Sequence, residues 1–519
     1  MNIGDTLLHN ARVRGRREAL VLGDTRLTWE AWNAAANRFA NALLALGARR
    51  GDRMVLLLGN SVPFSVAYYG LAKIGVVSAP LMTRSSAAEI AGVAGKLRAR
   101  FVLAEAAVAP LLADIRGELP SVEAVIGVGE GHGLTFDYDA LLADAAPQEP
   151  PVSAAADDAL TIKFTSGTTG EPKGCVRTHA NFIAAATGNI IEIPISDADT
   201  GIVSAPLAAG MAISQMTMLV MRGARIVMLP RFEPGAFLHA VETERPSLIY
   251  LMDGMTRRLF AHPDFDTADF SSVRLYHPVN ARDVALRLHA HPTFKGGFTS
   301  GYASSEGGGL ISVKTPELYA AAFADAKDAH LLDCLGHETL LNRVECLDDD
   351  LAPVPTGEIG ELAVRGPSVF QGYWERPEET AKVLRDGWLL TGDLARRDDN
   401  GFIYLQGRKR DLIRSGNLSV YPSEVEPVLL ASGKVSVACI IGVPDLEWGE
   451  KVVACVVRKD SCTEEELIRF CRGHLAPYKC PKTVVFFDAL PTTDVGKIDK
   501  KQLISIVNDG DAAPKENVR

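Results

Sequence analysis

Thr165-Ser166-Gly167-Thr168-Thr169-Gly170-Glu171-Pro172-Lys173-Gly174 follows a short strand-like run, Leu160 to Phe164. The reading of the whole chain turns on this stretch. Glycines let a backbone bend and approach a ligand with no Cβ in the way. Successive amides in such a bend form a nest for anions. The hydroxyls of Thr165, Ser166, Thr168 and Thr169, with the Lys173 ammonium, add donors for phosphate oxygens. The stretch is not a Walker A loop. Counting from Gly167, that loop needs Gly at 172 and Ser or Thr at 174, where this chain has Pro172 and Gly174. The plainer alternative is a hydrophilic surface hairpin.

Upstream, Thr28 to Leu46 predicts an amphipathic helix. Trp29, Trp32, Ala36, Phe39, Ala40, Leu43 and Leu44 recur at helical spacing, with Thr28 as N-cap and Gly47 as stop. Met54 to Leu58 reads as a buried strand, and Phe64 to Ile74 as a second apolar helix ending at Gly75. Ala143 to Asp158, rich in Ala, Pro and Asp, reads as a surface connection. Strand–helix alternation resumes at Leu160 and runs past residue 300, which predicts a layered α/β domain. From about 335 to 405, short apolar stretches separated by Gly, Pro and Asp predict a β-rich subdomain. Beyond Arg408 the pattern is compact: Ser423 to Ala431 helical, Val435 to Val443 and Val452 to Val457 strands, Glu464 to Leu475 helical. The expected division is a large N-terminal domain, 1–407, and a small α+β C-terminal domain, 408–519, with a polar tail at 509–519.

Composition bounds the function. With 519 residues the chain has room for two to four domains. A formal net charge of −10 argues against a general nucleic-acid surface, which needs clustered cations. No apolar run reaches the length of a membrane-spanning helix. Met1 to His9 shows no basic leader followed by an apolar core. The eight cysteines, at 175, 334, 346, 439, 455, 462, 471 and 480, include no Cys-x-x-Cys pair. They read as reduced thiols, not as a disulfide scaffold or a zinc site, and a cytoplasmic protein is expected.

Further segments stand in order along the chain: Gly301-Tyr302-Ala303-Ser304-Ser305-Glu306; Trp388-Leu389-Leu390-Thr391-Gly392-Asp393; Gly407-Arg408-Lys409-Arg410-Asp411 through Tyr421-Pro422-Ser423-Glu424-Val425-Glu426; and Pro491-Thr492-Thr493-Asp494-Val495-Gly496-Lys497-Ile498. With the 165–174 stretch, this set resembles the motifs of the adenylate-forming superfamily, in its acyl-CoA synthetase branch. The resemblance covers nearly the whole chain. It implies a two-step reaction: a carboxylate attacks the α-phosphorus of ATP, then a thiol displaces AMP from the acyl-adenylate. It implies ATP, Mg²⁺ and CoA as cofactors, and a carboxylic acid plus CoA (or a carrier protein) as partners. Oligomeric state, monomer or homodimer, stays open.

The resemblance also implies roles. Thr165, Ser166, Gly167, Thr168, Thr169, Gly170 and Lys173 would hold the β- and γ-phosphates. Lys497 would reach the carboxylate and the α-phosphate, a task suited to a point charge on a long stem. Glu306 matches the Mg²⁺ carboxylate; one is enough, since Mg²⁺ fills its shell with water and phosphate oxygens. Tyr302 matches the aromatic on adenine, Ser305 the hydroxyl near the α-phosphate, and Asp393 the ribose carboxylate, with Arg408 close by. Arg410 aligns with the pivot about which the small domain rotates. Gly416, Asn417 and Leu418 fall beside the CoA channel.

Departures gather at the expected acyl pocket. Ala208 and Ala209, followed by Gly210, stand where relatives carry an aromatic and then His; such small residues could leave a wider pocket or a missing gate. Tyr276-His277-Pro278-Val279-Asn280 replaces a glycine-rich turn, a loss that resembles the carnitine-type CoA ligases. Asp253 stands where an apolar residue or Pro is usual, so it could hold a cationic or hydroxylated substrate; the alternatives are a helix cap or a solvent-facing carboxylate. His277 is not needed as a base, because a carboxylic acid is already ionised near neutral pH. Two other readings remain: an enzyme that loads a carrier-protein phosphopantetheine, and a non-catalytic nucleotide-binding relative.

Overall fold

The computed structural model describes residues 1–165, 172–277, 280–415, 418–445, 448–492 and 498–508. Packing divides the chain into two units, Met1–Val344 with Ala363–Thr391, and Glu345–Leu362 with Gly392–Arg519.

The first unit is built on two sheets with helices between them. One has eight strands in the order Gly372–Tyr373, Lys173–Thr178, Ala159–Thr165, Val77–Pro80, Arg53–Leu57, Phe101–Glu105, Ala124–Val128, Phe136–Asp137. The other has seven: Gly297–Phe298, Leu275–His277, Leu248–Tyr250, Thr200–Val203, Arg225–Met228, Glu18–Leu22, Thr25–Thr28. Strand period decides the layering. Met54, Leu56, Phe101 and Leu103 face a core that also takes Val203, Ile226 and Leu248 of the second sheet. Their neighbours Val55, Leu57, Val102 and Ala104 face the opposite core, under the helix Ala87–Leu97. A sheet covered on both sides accounts for the unbroken apolar runs seen in the sequence.

The helix expected from Thr28 runs over Trp29–Ala45, and Thr28 Oγ1 caps it by accepting from Ala31 N at 3.2 Å. Trp29, Trp32, Ala36, Phe39, Ala40 and Leu43 are fully buried between the sheets. The second expected helix spans Val62–Ile74, and residues 145–158 carry no helix or strand.

In the second unit Val435–Asp445 and Gly449–Arg458 form a long antiparallel pair, flanked by Ile413–Ser415, Leu418–Val420 and Thr483–Phe487. Period two again sorts the faces. Ile440, Val452, Ala454 and Val456 pack against the helices Pro422–Ala431 and Glu464–Arg472. Cys439, Ile441, Val453 and Cys455 pack against Leu503 of Lys500–Asn508. All eight cysteines are free and buried. The β-rich stretch is real, with strands Ile359–Arg365, Trp388–Arg397 and Ile403–Arg408. The ladder from Asp393↔Arg408 to Arg397↔Ile403 binds 392–408 together. A packing division therefore falls at 391/392, within this β-rich stretch. Among the described residues no helix is long and apolar enough to cross a membrane.

Candidate active site

The strands Ala159–Thr165 and Lys173–Thr178 pair antiparallel, with Thr165 opposite Lys173, so both ends of the quoted stretch are held in register. Ser166, Gly167, Thr168, Thr169 and Gly170, and the Thr165 side chain, lie outside the described residues. On the other edge of Lys173–Thr178 sits Gly372–Tyr373, with Tyr373 opposite Cys175. Lys173 Nζ stands 5.1 Å from the centre of the Tyr373 ring and donates to Glu379 Oε2 at 2.6 Å. Glu379 lies in the first turn of Pro377–Val383. Its carboxyl is held down at about 2, first by Lys173 and then by Lys382.

Glu306 sits in the turn between Ala303–Ser304 and Gly309–Leu310, which pair as a hairpin. Ser304 Oγ accepts from Gly307 N at 2.9 Å, and Ser304 O from Gly308 N at 3.1 Å. Gly308 has φ +91°, and a Cβ there would stand 2.0 Å from Ser368 O. Only glycine fits. Ser368 Oγ donates to Gly307 O at 2.8 Å, and Phe370 N to Glu306 O at 2.8 Å. The turn is thus clamped on two sides and the Glu306 carboxylate is aimed. Its Oε1 accepts from Tyr373 Oη at 2.9 Å. Burial, then the Glu306 charge, pushes the Tyr373 phenol well above its usual range, so it serves as a donor. Glu306, Tyr373, Lys173 and Glu379 form one polar chain. Tyr302 is fixed by its backbone: its N–H donates to Ser312 Oγ at 3.1 Å and its carbonyl accepts from Ile311 N at 2.8 Å. Ser305 is half-buried in the turn.

Among the described residues no cluster of three or more His, Cys, Asp or Glu could cage a metal. A lone aimed carboxylate suits an ion such as Mg²⁺ that takes most of its shell from phosphate and water. Glu306 fits that requirement.

In the second unit Asp393 is buried and its Oδ1 lies 2.8 Å from Arg408 Nε, directly across the ladder. Arg408 itself is exposed, leaving its fork accessible. Lys409 Nζ reaches Asp349 at 2.7 Å and Glu361 at 2.9 Å. Asp411 is reached by Lys500 at 3.5 Å and by Arg410 at 3.4 Å. Arg410 is otherwise exposed. Ser415 pairs with Leu418, so the expected channel segment is a hairpin whose Gly416 and Asn417 lie outside the described residues. Lys497 also lies outside them; Thr492 and Ile498, on either side, form an antiparallel bridge.

The AMP-binding enzyme model matches residues 7–374, and the AMP-binding enzyme C-terminal domain model matches residues 424–497. This chain belongs to the AMP-binding enzyme family. The long-chain-fatty-acid–CoA ligase FadD13 of Mycobacterium tuberculosis is 32% identical over 515 residues, 97% of this chain and 98% of its own. A feruloyl-CoA synthase from an Amycolatopsis species is 33% identical over 510 residues, 96% of this chain and 98% of its own. A solved fatty acyl CoA synthetase of Mycobacterium tuberculosis superposes with a TM-score of 0.80 at 30% identity, covering 98% of this chain and 99% of that one.

In this AMP-binding enzyme the residues expected around the acyl group have separate fates. Asp253 accepts from Ala281 N at 2.9 Å and from Asn280 N at 3.3 Å, in the turn just before the helix Arg282–His289. Burial raises its carboxyl. His277 is a core residue, 5% exposed, with Nδ1 2.8 Å from Thr299 Oγ1 and its ring on Tyr250; burial lowers it to about 3, so it is neutral. Ala208 and Ala209 lie in a short 3₁₀ turn. Gly210 follows at φ +86°, and a Cβ there would meet Lys163 Nζ at 2.7 Å. Lys163 donates to Ala209 O, so a cation lies against this turn. Tyr373, Glu379 and Lys163 were missed from sequence. Only Tyr373 and Glu379 left a trace, an aromatic and an acidic helix start soon after the β-rich pattern begins.

Proposed function

We propose that this protein is an ATP-dependent carboxylate–CoA ligase. The carboxylate attacks the α-phosphorus of ATP, an acyl-adenylate forms and pyrophosphate leaves; the CoA thiol then attacks the acyl carbon and AMP leaves. The observation that carries the reading is full-length similarity to relatives named as CoA ligases. The chain Glu306–Tyr373–Lys173 supports it, because the first half-reaction gathers negative charge that needs fixed cations and donors.

In this reading Thr165 to Gly170 cradle the β- and γ-phosphates, and Lys173 exchanges Glu379 for a phosphate oxygen. Glu306 would hold Mg²⁺, which when bound neutralises phosphate charge. Tyr302 packs on adenine and Ser305 lies by the α-phosphate. Asp393 accepts from the ribose hydroxyls, beside Arg408. Lys497 bridges the carboxylate and the α-phosphate. Residues 408–519 then turn about Arg410, an exposed residue paired to its neighbour Asp411. Gly416, Asn417 and Leu418 border the path of CoA. Free thiols throughout favour a cytoplasmic setting.

The test is pyrophosphate release over a panel of short, medium, aryl, alicyclic and carnitine-like acids, with and without CoA. CoA-dependent turnover to a thioester is expected. Adenylate build-up indifferent to CoA would replace this reading with carrier loading. Lys497→Ala should lower adenylation about 10²–10³-fold, while thioester formation from pre-made adenylate survives; equal losses in both halves would reject the role given to Lys497.

A further inference from the structure

Lys173 opens the strand Lys173–Thr178, directly after the stretch expected to cradle phosphate. Its side chain is 19% exposed and donates to Glu379 Oε2 at 2.6 Å. The second carboxylate of this polar chain, Glu306, accepts from Tyr373 Oη instead. The two carboxylates are therefore sorted: Glu306 goes to the phenol, and Glu379 to the ammonium.

Glu379 is held in place by more than Lys173. It lies in the first turn of Pro377–Val383, and Lys382, one turn on, donates to its other oxygen, Oε1. The neighbouring Thr380 Oγ1 accepts from Tyr373 N at 2.9 Å and donates to Arg376 O at 2.8 Å. A Cβ on Gly372 would stand 2.8 Å from Thr380 Cγ2, so the helix lies close against the strand Gly372–Tyr373. That strand in turn pairs with the one that carries Lys173. The helix is thus fastened to the sheet independently of the Lys173–Glu379 contact. If Lys173 leaves, Lys382 still faces the carboxylate.

A phosphate chain has to compete with this carboxylate for Lys173, because anions that share one cation repel each other. The competition weighs unequally on substrate and product. ATP is held at its base, its ribose and its phosphates together, so its other contacts keep the phosphates at high effective concentration beside Lys173. Once the bond between the α-phosphorus and the bridging oxygen has broken, pyrophosphate has no nucleoside to tether it. It must then keep Lys173 by phosphate contacts alone, against a carboxylate fixed in place.

We infer that Glu379 is a positioning residue that reclaims Lys173 as the acyl-adenylate forms, and so speeds the release of pyrophosphate. The inference rests on the ligase reading above and deepens it. No covalent bond changes in this step. The ion pair of Lys173 with pyrophosphate is exchanged for one with Glu379, and pyrophosphate leaves.

The experiment measures pyrophosphate binding by calorimetry in excess Mg²⁺, with neither acid nor nucleotide, on wild type, Glu379→Gln and Glu378→Gln. Glu378 is the exposed neighbour in the same helical turn, so its variant removes an equal charge from the same helix and leaves the Lys173–Glu379 pair in place. Glu379→Gln should bind pyrophosphate about five- to tenfold more tightly, the scale of a half-exposed charged pair. Glu378→Gln should change it by less than about twofold. In turnover, inhibition by pyrophosphate should sharpen in Glu379→Gln by the same factor, while the KM for the carboxylic acid stays as it was. A damaged fold would weaken binding, so the sign of the change separates this role from a structural one, and urea unfolding curves show that each variant is folded. Unchanged or weaker binding by Glu379→Gln, or an equal gain in Glu378→Gln, overturns the inference and leaves the ligase reading intact. Tighter binding by Glu379→Gln with no pyrophosphate release from any acid overturns the ligase reading, while the competition between Glu379 and an anion for Lys173 stands. No pyrophosphate binding to any of the three proteins overturns the inference, and the acid panel then decides the ligase reading alone.

Discussion

Two cations of the large unit are buried to a similar degree and treated in opposite ways. Lys73, on the helix Val62–Ile74, donates to Glu149 Oε2 at 2.7 Å; the other oxygen of Glu149 accepts from Asn33 at 2.8 Å and Asn37 at 2.9 Å. Burial lowers the Lys73 ammonium while Glu149 opposes that shift. Among the described residues no carboxylate pairs with Arg177. Burial alone therefore does not say whether a charge is structural. Its partner does: Lys73 is tied into the scaffold by Glu149, whereas Arg177 rests on the Phe182 ring.

The comparison can be broken by unfolding experiments. The largest loss should come from Glu149→Gln, which leaves the deeply buried Lys73 unpaired; about 3 kcal/mol is expected by urea denaturation. Lys73→Met should cost less, about 1–2 kcal/mol, because Glu149 keeps its two Asn donors and is 37% exposed. If Lys73→Met cost more than Glu149→Gln, the pair would not be held together as described. A further contrast comes from groups that avoid charge. His179, whose Nδ1 accepts from Ile3 N at 3.1 Å, is lowered to about 4 by burial, and His277 to about 3. Both are neutral in the fold but protonate near 6.5 when unfolded. The unfolded chain then binds more protons, so stability is complete above pH 6.5 and falls as pH drops toward 4. The expected slope is about 1.4 kcal/mol per pH unit for each histidine. His277→Asn should remove one such slope; an unaltered slope would mean that His277 is not buried neutral. The smallest effect belongs to Arg177→Met, which should leave stability unchanged or raise it. A loss as large as that of Glu149→Gln would make Arg177 a scaffold residue and end the contrast.

Much of this was legible in the sequence. Apolar spacing located the helix after Thr28 because a helix between two sheets must bury one broad stripe. The continuous run Met54 to Leu58 read as a buried strand because both faces of that sheet are covered. The 165–174 stretch and Gly301 to Glu306 were legible as motifs because each is local. Asp253 shows where such reading stops: an unusual residue at an expected pocket accepts from backbone amides of the turn 27 and 28 positions later.

The sequence by itself determined the element types, the two-part plan and the identity of the charged residues, since these follow from periodicity and from side-chain chemistry at short range. Only the tertiary structure decided which of those charges meet. Glu306 and Tyr373 are 67 positions apart and touch because Gly372–Tyr373 pairs with the strand that carries Lys173. Lys73 and Glu149 are 76 apart and meet, while among the described residues Arg177 meets no carboxylate. A charge is recorded in one residue, but its electrostatic partner is set by how distant segments pack, and no local pattern carries that information.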